Sequence, residues 1–238
     1  MILSIIEGKV FIHEGRETME KHTPYFKVLD AFQQSSSCGL CLLEKDALRS
    51  YLEAFLYENV NDPKSRAILK ASRGYCSSHT DELVGRHDVL ALSILYRDQC
   101  LEADSFLEKN KKFKNQYKKW NQHEFCPACK QAQQIRKHYL GILIQGLQEE
   151  ELRTAFLNHF QICMKHFLLI TDQLQDSSFK KQIVQKMQMQ LKFLAQELDQ
   201  YCQDIQKNAN GSLLDSPYHS SWKRAIEAVA GQPGVFIV

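Results

Sequence analysis

Six cysteines and two histidines in this chain fall into one spacing pattern that occurs twice. The first copy is Cys38-x2-Cys41, then 34 residues, then Cys76-x2-His79. The second is Cys126-x2-Cys129, then 33 residues, then Cys163-x2-His166. Three thiolates and one imidazole make up the ligand set of a closed, tetrahedral structural zinc site. Two ligands two residues apart point at one ion when a tight turn or the first turn of a helix brings their side chains together. Each copy supplies two such knuckles. Read copy by copy, the intervening stretch folds back as a helical hairpin to close a site within each repeat. The two quartets could also exchange partners, one copy's Cys pair meeting the other copy's Cys/His pair, which spacing alone does not exclude.

The pattern predicts two metal ions per chain. Zinc is the first reading, because Cys3His suits it; an iron–sulfur cluster, which more often takes four cysteines, is the alternative. A helix N-terminus lowers a thiol pKa and so favours the thiolate that metals need. The Cys38/Cys41 and Cys76/His79 knuckles both read as helix starts. Cys100 and Cys202 fall outside the pattern and read as small hydrophobes buried in helices. Among the other histidines, His123 and His159 lie near the second quartet and are its reserve ligands. No phosphate-cradling glycine loop, serine elbow or recognisable carboxylate pair is present. The chain therefore reads as a binding or scaffolding protein rather than an enzyme. The alternatives are an iron–sulfur or thiol redox protein and a nucleic-acid-associated regulator.

The elements that must hold these ligands are helical. Ten glycines and five prolines in 238 residues are few breakers, and 44% hydrophobic residues suffice for a core. A net charge of +2 is nearly balanced and argues against a strongly basic nucleic-acid binder. No run approaches the roughly 20 apolar residues of a membrane span, and the opening MILSII lacks the features of a signal peptide. With no export signal the cytoplasm is the expected location, where paired cysteines bind metal more often than they form disulfides.

Thr23-Pro24 opens a helix that runs to about Gln34. Leu48, Tyr51, Leu52, Phe55 and Leu56 recur on one helical face after Cys41. Asn61-Asp62-Pro63 ends that helix and caps a short one to about Ser72, with a break at Gly74. Val89 to Leu95 is apolar on nearly all sides, which predicts a buried helix continuing to about Glu108. In the second copy Tyr139-Leu140 and Arg153 match Tyr51-Leu52 and Arg66, and Glu149-Glu150-Glu151 reads as the first turn of a helix. A long closing helix carries a seam of Val184, Met187, Leu191, Leu194, Leu198, Cys202 and Ile205. Leu213 to Ser216 reads as a loop. A last helix from about Ser221 to Ala230 should bury Trp222, Ile226 and Val229 and stop at Gly231.

The segment from Lys109 to Trp120 interleaves lysines with aromatics. Lys111, Lys112, Lys114, Lys118 and Lys119 are its candidate phosphate contacts, although a solvated linker explains them as well. Residues 1–18 read as a translated leader or an N-terminal arm; Lys9-Val10-Phe11-Ile12 has β character. The division expected is 1–18 arm, 19–108 first helical repeat, 109–122 basic linker and 123–238 second repeat with the C-terminal helix.

The run YLEAFLYENVNDPKSRAILKASRGYCSSH, with the preceding CGLC and the earlier KHTPYF, resembles an uncharacterised bacterial family known only as a domain of unknown function. The resemblance covers Met19 to about Gly231, with paired CxxC and CxxH motifs and a tryptophan helix at Trp222. It supports the fold and implies no activity. The expectation is an all-α, internally duplicated helical bundle with two Cys3His metal sites. The partner is an unidentified protein or small molecule, with nucleic acid disfavoured and oligomeric state open.

Overall fold

The computed structural model describes residues 3–6, 9–12, 23–109, 114–121, 125–207 and 218–236. Two short strands, β1 (Leu3–Ile6) and β2 (Lys9–Ile12), pair antiparallel near the N-terminus. From Thr23 onward every described element is a helix, so the fold is all-α. The chain forms α1 (Thr23–Gln34), α2 (Gly39–Ala54), α3 (Pro63–Ala71), α4 (Ser77–Val84) and α5 (Val89–Lys109). There follow α6 (Gln116–Trp120), α7 (Pro127–Gly146), α8 (Glu150–Asn158), α9 (Met164–Gln173), α10 (Ser177–Lys207) and α11 (Ser221–Ala230).

Periodic apolar residues put the first helices where they are. Tyr25, Val28, Leu29 and Phe32 line the buried side of α1, at i, i+3, i+4 and i+7. Leu48, Leu52, Phe55 and Leu56 do the same along α2, which relaxes into one wide π turn over Phe55–Asn59. Asp62 then caps α3 by accepting from the Ser65 backbone N–H at 2.8 Å and its hydroxyl at 2.7 Å. Arg73 and Gly74 both take positive φ, turning the chain sharply before Cys76. Helix α2 packs along α7, and α1 bridges α2, α7 and α8. One hydrophobic cluster draws on both expected repeats, from Tyr25 to Met187 and Val235. At its centre Phe156 stacks edge-on with Phe32 and Phe160.

Four expectations of burial fail. Helix α5 buries only Ala91 and Leu95, while Val89 and Leu90 are each 73% exposed. It is fastened on one side to α3, by a bidentate Arg66–Asp98 pair at 2.7 Å and by Lys70–Glu102 at 3.2 Å. Cys100 and Cys202 are exposed rather than buried. On α10 the buried line is Phe179, Ile183, Met187 and Leu194, so Val184 and Ile205 of the expected seam face outward. Helix α11 has the expected bounds but presents Trp222, Ile226 and Val229 outward. Ser221 and Ala228 are buried instead, because small side chains let its backbone approach α10 and α9 closely. Leu213 to Ser216 lie outside the described residues.

Candidate metal centres

Each of the four knuckles sits at the start of a helix. Cys38, Cys76, Cys126 and Cys163 occupy the N-cap positions of α2, α4, α7 and α9. The second ligand of each knuckle follows three positions later, in the first turn, so both side chains point off the same helix end. The free N–H groups and positive end of the helix dipole there favour thiolate. Gly39 is required beside the first ligand. A Cβ at that position would lie 3.1 Å from the Ala31 carbonyl oxygen and 3.4 Å from the Phe32 ring. The α1–α2 turn is thus pulled tight against Cys38.

The knuckles meet crosswise. Cys38, Cys41, Cys163 and His166 form one group, and Cys76, His79, Cys126 and Cys129 form the other. Pairing within each repeat is overturned, and the exchanged arrangement is the one that the geometry adopts. Packing of α2 along α7 and of α9 on α7 accompanies this, and the starts of α2 and α9, from the two expected repeats, come together. Within each group all four ligand atoms lie within 4.8 Å of one another. We refer to the first group as the outer centre and the second as the inner centre, after their order along the chain.

In the outer centre His166 Nδ1 lies 3.3 Å from Cys38 Sγ, 3.4 Å from Cys41 Sγ and 3.4 Å from Cys163 Sγ. Cys41 and Cys163 sulfurs are 3.7 Å apart. In the inner centre His79 Nδ1 lies 3.1, 3.6 and 3.5 Å from the sulfurs of Cys76, Cys126 and Cys129. Cys76 and Cys129 sulfurs are again 3.7 Å apart. A zinc ion with bonds of about 2.3 Å to sulfur and about 2.0 Å to nitrogen sets sulfurs about 3.8 Å apart and sulfur and nitrogen about 3.5 Å apart. Both groups have that spacing.

Electrostatics within the two groups follow from crowding. Burial pushes the Cys38 thiol up, assisted by its neighbours Cys163 and Cys41. Hydrogen bonds from Cys38 and Cys41, then from His166, hold Cys163 well below the ordinary thiol range. Burial works against a charged His166, but bonds to Cys163, Cys41 and Glu44 outweigh it and push its pKa up to about 11. In the inner centre burial opposes the Cys126 thiolate, yet His79 and the backbone N–H groups of Cys76 and Cys129 lower its pKa. Burial and the neighbouring Cys126 charge push Cys129 up. Protons and thiolates thus share one small volume, which a cation would neutralise.

The outer centre has a further shell that the spacing does not announce. His166 Nε2 lies 2.7 Å from Glu44 Oε1, and Glu44 is only 4% exposed. Arg136 Nε donates to the other oxygen of Glu44 at 3.0 Å, and its Nη2 donates to the Val235 carbonyl. The Phe236 ring covers His166 at 4.7 Å and lies under the Arg136 guanidinium at 4.2 Å. Gly231, at φ 82°, turns the chain so that Val235 and Phe236 reach this position. Glu44 lies three residues beyond Cys41, in line with Cys38 and Cys41 on one helical face. A carboxylate on the buried face of an otherwise amphipathic helix is the signal by which it could have been found.

The remaining candidates lie elsewhere. His159 caps the end of α8 and belongs to neither group, and His123 lies outside the described residues. Lys114, Lys118 and Lys119 are exposed on and beside α6, whereas Lys111 and Lys112 lie outside the described residues. Trp120 is held by Arg73, which donates to its carbonyl and lies over its ring at 3.9 Å. No described helix is long and apolar enough to cross a membrane.

Comparison with known proteins places the chain in a family. The sequence profile of a family of unknown function, DUF6062, matches residues 19–233. The chain belongs to this family. A relative described as an uncharacterized 23.9 kDa protein in the xynA 3′ region of Caldicellulosiruptor sp. (strain Rt8B.4) is 23% identical over 204 residues. That alignment covers 82% of this chain and 95% of the relative. No solved structure matches. DUF6062 membership is thus consistent with the resemblance carried by the CGLC and YCSSH knuckles, and brings no activity with it.

Proposed function

We propose that this DUF6062 protein is a zinc protein, whose two Cys3His centres are structural cross-links in a helical binding or scaffolding module. The observation that carries this reading is the convergence of all eight pattern residues into two groups with single-ion spacing. A catalytic zinc keeps one position open for water or substrate, whereas four protein donors fill a tetrahedral site. In an iron–sulfur cluster the ligands are divided among two or more irons and are spread around the cluster. Here sulfurs and imidazole nitrogen are in mutual contact, which supports one ion per group. All eight cysteines are free, which fits a reducing compartment such as the cytoplasm.

The test is elemental analysis of protein purified without oxygen. Two zinc ions per chain and a colourless solution are expected. Iron with acid-labile sulfide and visible absorption would overturn the reading in favour of a redox protein. A strong chelator should also lower the melting temperature and the helical circular dichroism, because structural zinc contributes to folding directly. Chelation that removes metal and leaves melting unchanged would contradict a structural role.

A further inference from the structure

The two centres have the same ligand set and unequal surroundings. In the outer centre the imidazole is fixed from behind: Glu44 takes its Nε2–H, Arg136 holds Glu44, and Phe236 lies on the ring. Cys38, Cys41, Cys163 and His166 are all buried. In the inner centre His79 is fully buried, yet its Nε2 has no hydrogen-bond partner among the described residues. Cys76, the ligand on the same knuckle, is only partly buried.

A carboxylate behind a ligating imidazole fixes its tautomer and orientation and makes the ring a stronger donor, typically worth 10–100-fold in metal affinity. For His166 to leave an ion, its bond to Glu44 must break inside a site closed by Phe236. For His79 to leave, no second bond is broken. A buried N–H without an acceptor is itself unfavourable, so swinging the His79 ring toward water relieves a cost. The exposed side of Cys76 gives a chelator or a competing thiol a path to the same knuckle.

Building on the zinc reading, we propose that the inner centre, Cys76/His79/Cys126/Cys129, is an exchangeable site for a thiophilic divalent cation. The outer centre is the permanent one, and Glu44 is the positioning residue that makes it so.

The experiment uses the full chain loaded with two zinc ions and challenged with a chromogenic chelator in the presence of N-ethylmaleimide. Zinc leaves in two phases of one equivalent each, separated about 10-fold or more in rate. Peptide mass spectrometry of quenched samples finds Cys76, Cys126 and Cys129 labelled with the fast phase, and Cys38, Cys41 and Cys163 with the slow one. Cys100 and Cys202, exposed and outside both centres, label at once and serve as the reference. Glu44→Gln, which keeps the volume and removes the charge, accelerates the slow phase about 10-fold and leaves the fast phase unchanged. A single phase of two equivalents, the reverse order of labelling, or an unaltered slow phase in Glu44→Gln overturns the inference while two bound ions stand. A chain that binds no zinc overturns the reading beneath it as well.

Discussion

Crossed ligation makes paired serine substitutions behave in a way that no within-repeat site could reproduce. Cys38→Ser with Cys163→Ser strikes one ion twice, so the double variant keeps one equivalent of metal. Cys38→Ser with Cys76→Ser strikes both ions, so that variant keeps none. If each repeat closed its own site, the two results would be interchanged. The stability cost can be estimated from chain separations. An ion in the outer centre would join Cys41 to Cys163 across 122 positions, and one in the inner centre would join His79 to Cys126 across 47. Treated only as cross-links that remove entropy from the unfolded chain, they contribute about 4.9 and about 4.0 kcal/mol respectively. At 2–4 °C per kcal/mol for a domain of this size, loss of the outer ion lowers the melting temperature by about 10–20 °C. Elemental analysis of the single and double variants, with thermal melts of each, tests both statements. Retention of one ion by Cys38→Ser/Cys76→Ser, with none in Cys38→Ser/Cys163→Ser, would refute crossed pairing outright.

Two further outcomes follow from burial and charge. Phe156→Ala, in the fully buried aromatic cluster, should cost about 3–5 kcal/mol in chemical denaturation. Trp222→Ala, on the outward face of α11, should cost no more than about 0.5 kcal/mol, and a reversed order would contradict the described packing of α11. Metal loading at neutral pH should release protons, because His166 in the ion-free protein is pushed up to about 11 from an ordinary 6.5. That raised pKa stabilises the ion-free fold fully below about 6.5, and the contribution is lost as pH rises through about 11. Calorimetric titration of zinc in buffers of different ionisation enthalpy measures the release; an enthalpy independent of buffer would count against it.

That these eight side chains would gather was legible in the sequence because metal chemistry restricts both residue type and spacing. Pairing was not, because Cys-x2-Cys and Cys-x2-His knuckles carry no record of their partner; the fold decides it. Helix positions were legible for a similar reason. Thr23-Pro24, Asp62-Pro63 and Gly231 are local signals, and the bounds of α1, α3 and α11 follow them. Burial was misread where apolar residues surround a helix or where the close contact uses small ones. Val89 and Leu90 read as core and face outward; on α11 the expected Trp222, Ile226 and Val229 face outward while Ser221 and Ala228 are buried. Glu44 and Arg136 belong to elements 92 positions apart, and only the fold brings them together behind His166.

The order of the ligands along the chain also sets an order of assembly. Cys76, His79, Cys126 and Cys129 all lie between Cys41 and Cys163, so along the chain one site is nested inside the other. A ribosome therefore delivers a complete inner ligand set while Cys163 and His166 are still unmade. Cys38 and Cys41, made first of all, must wait longest for their partners. During synthesis they stand as an open Cys-x2-Cys pair, competent to hold an ion with two donors or to be oxidised. The last knuckle, made shortly before α10 and α11, completes the group that the first one began.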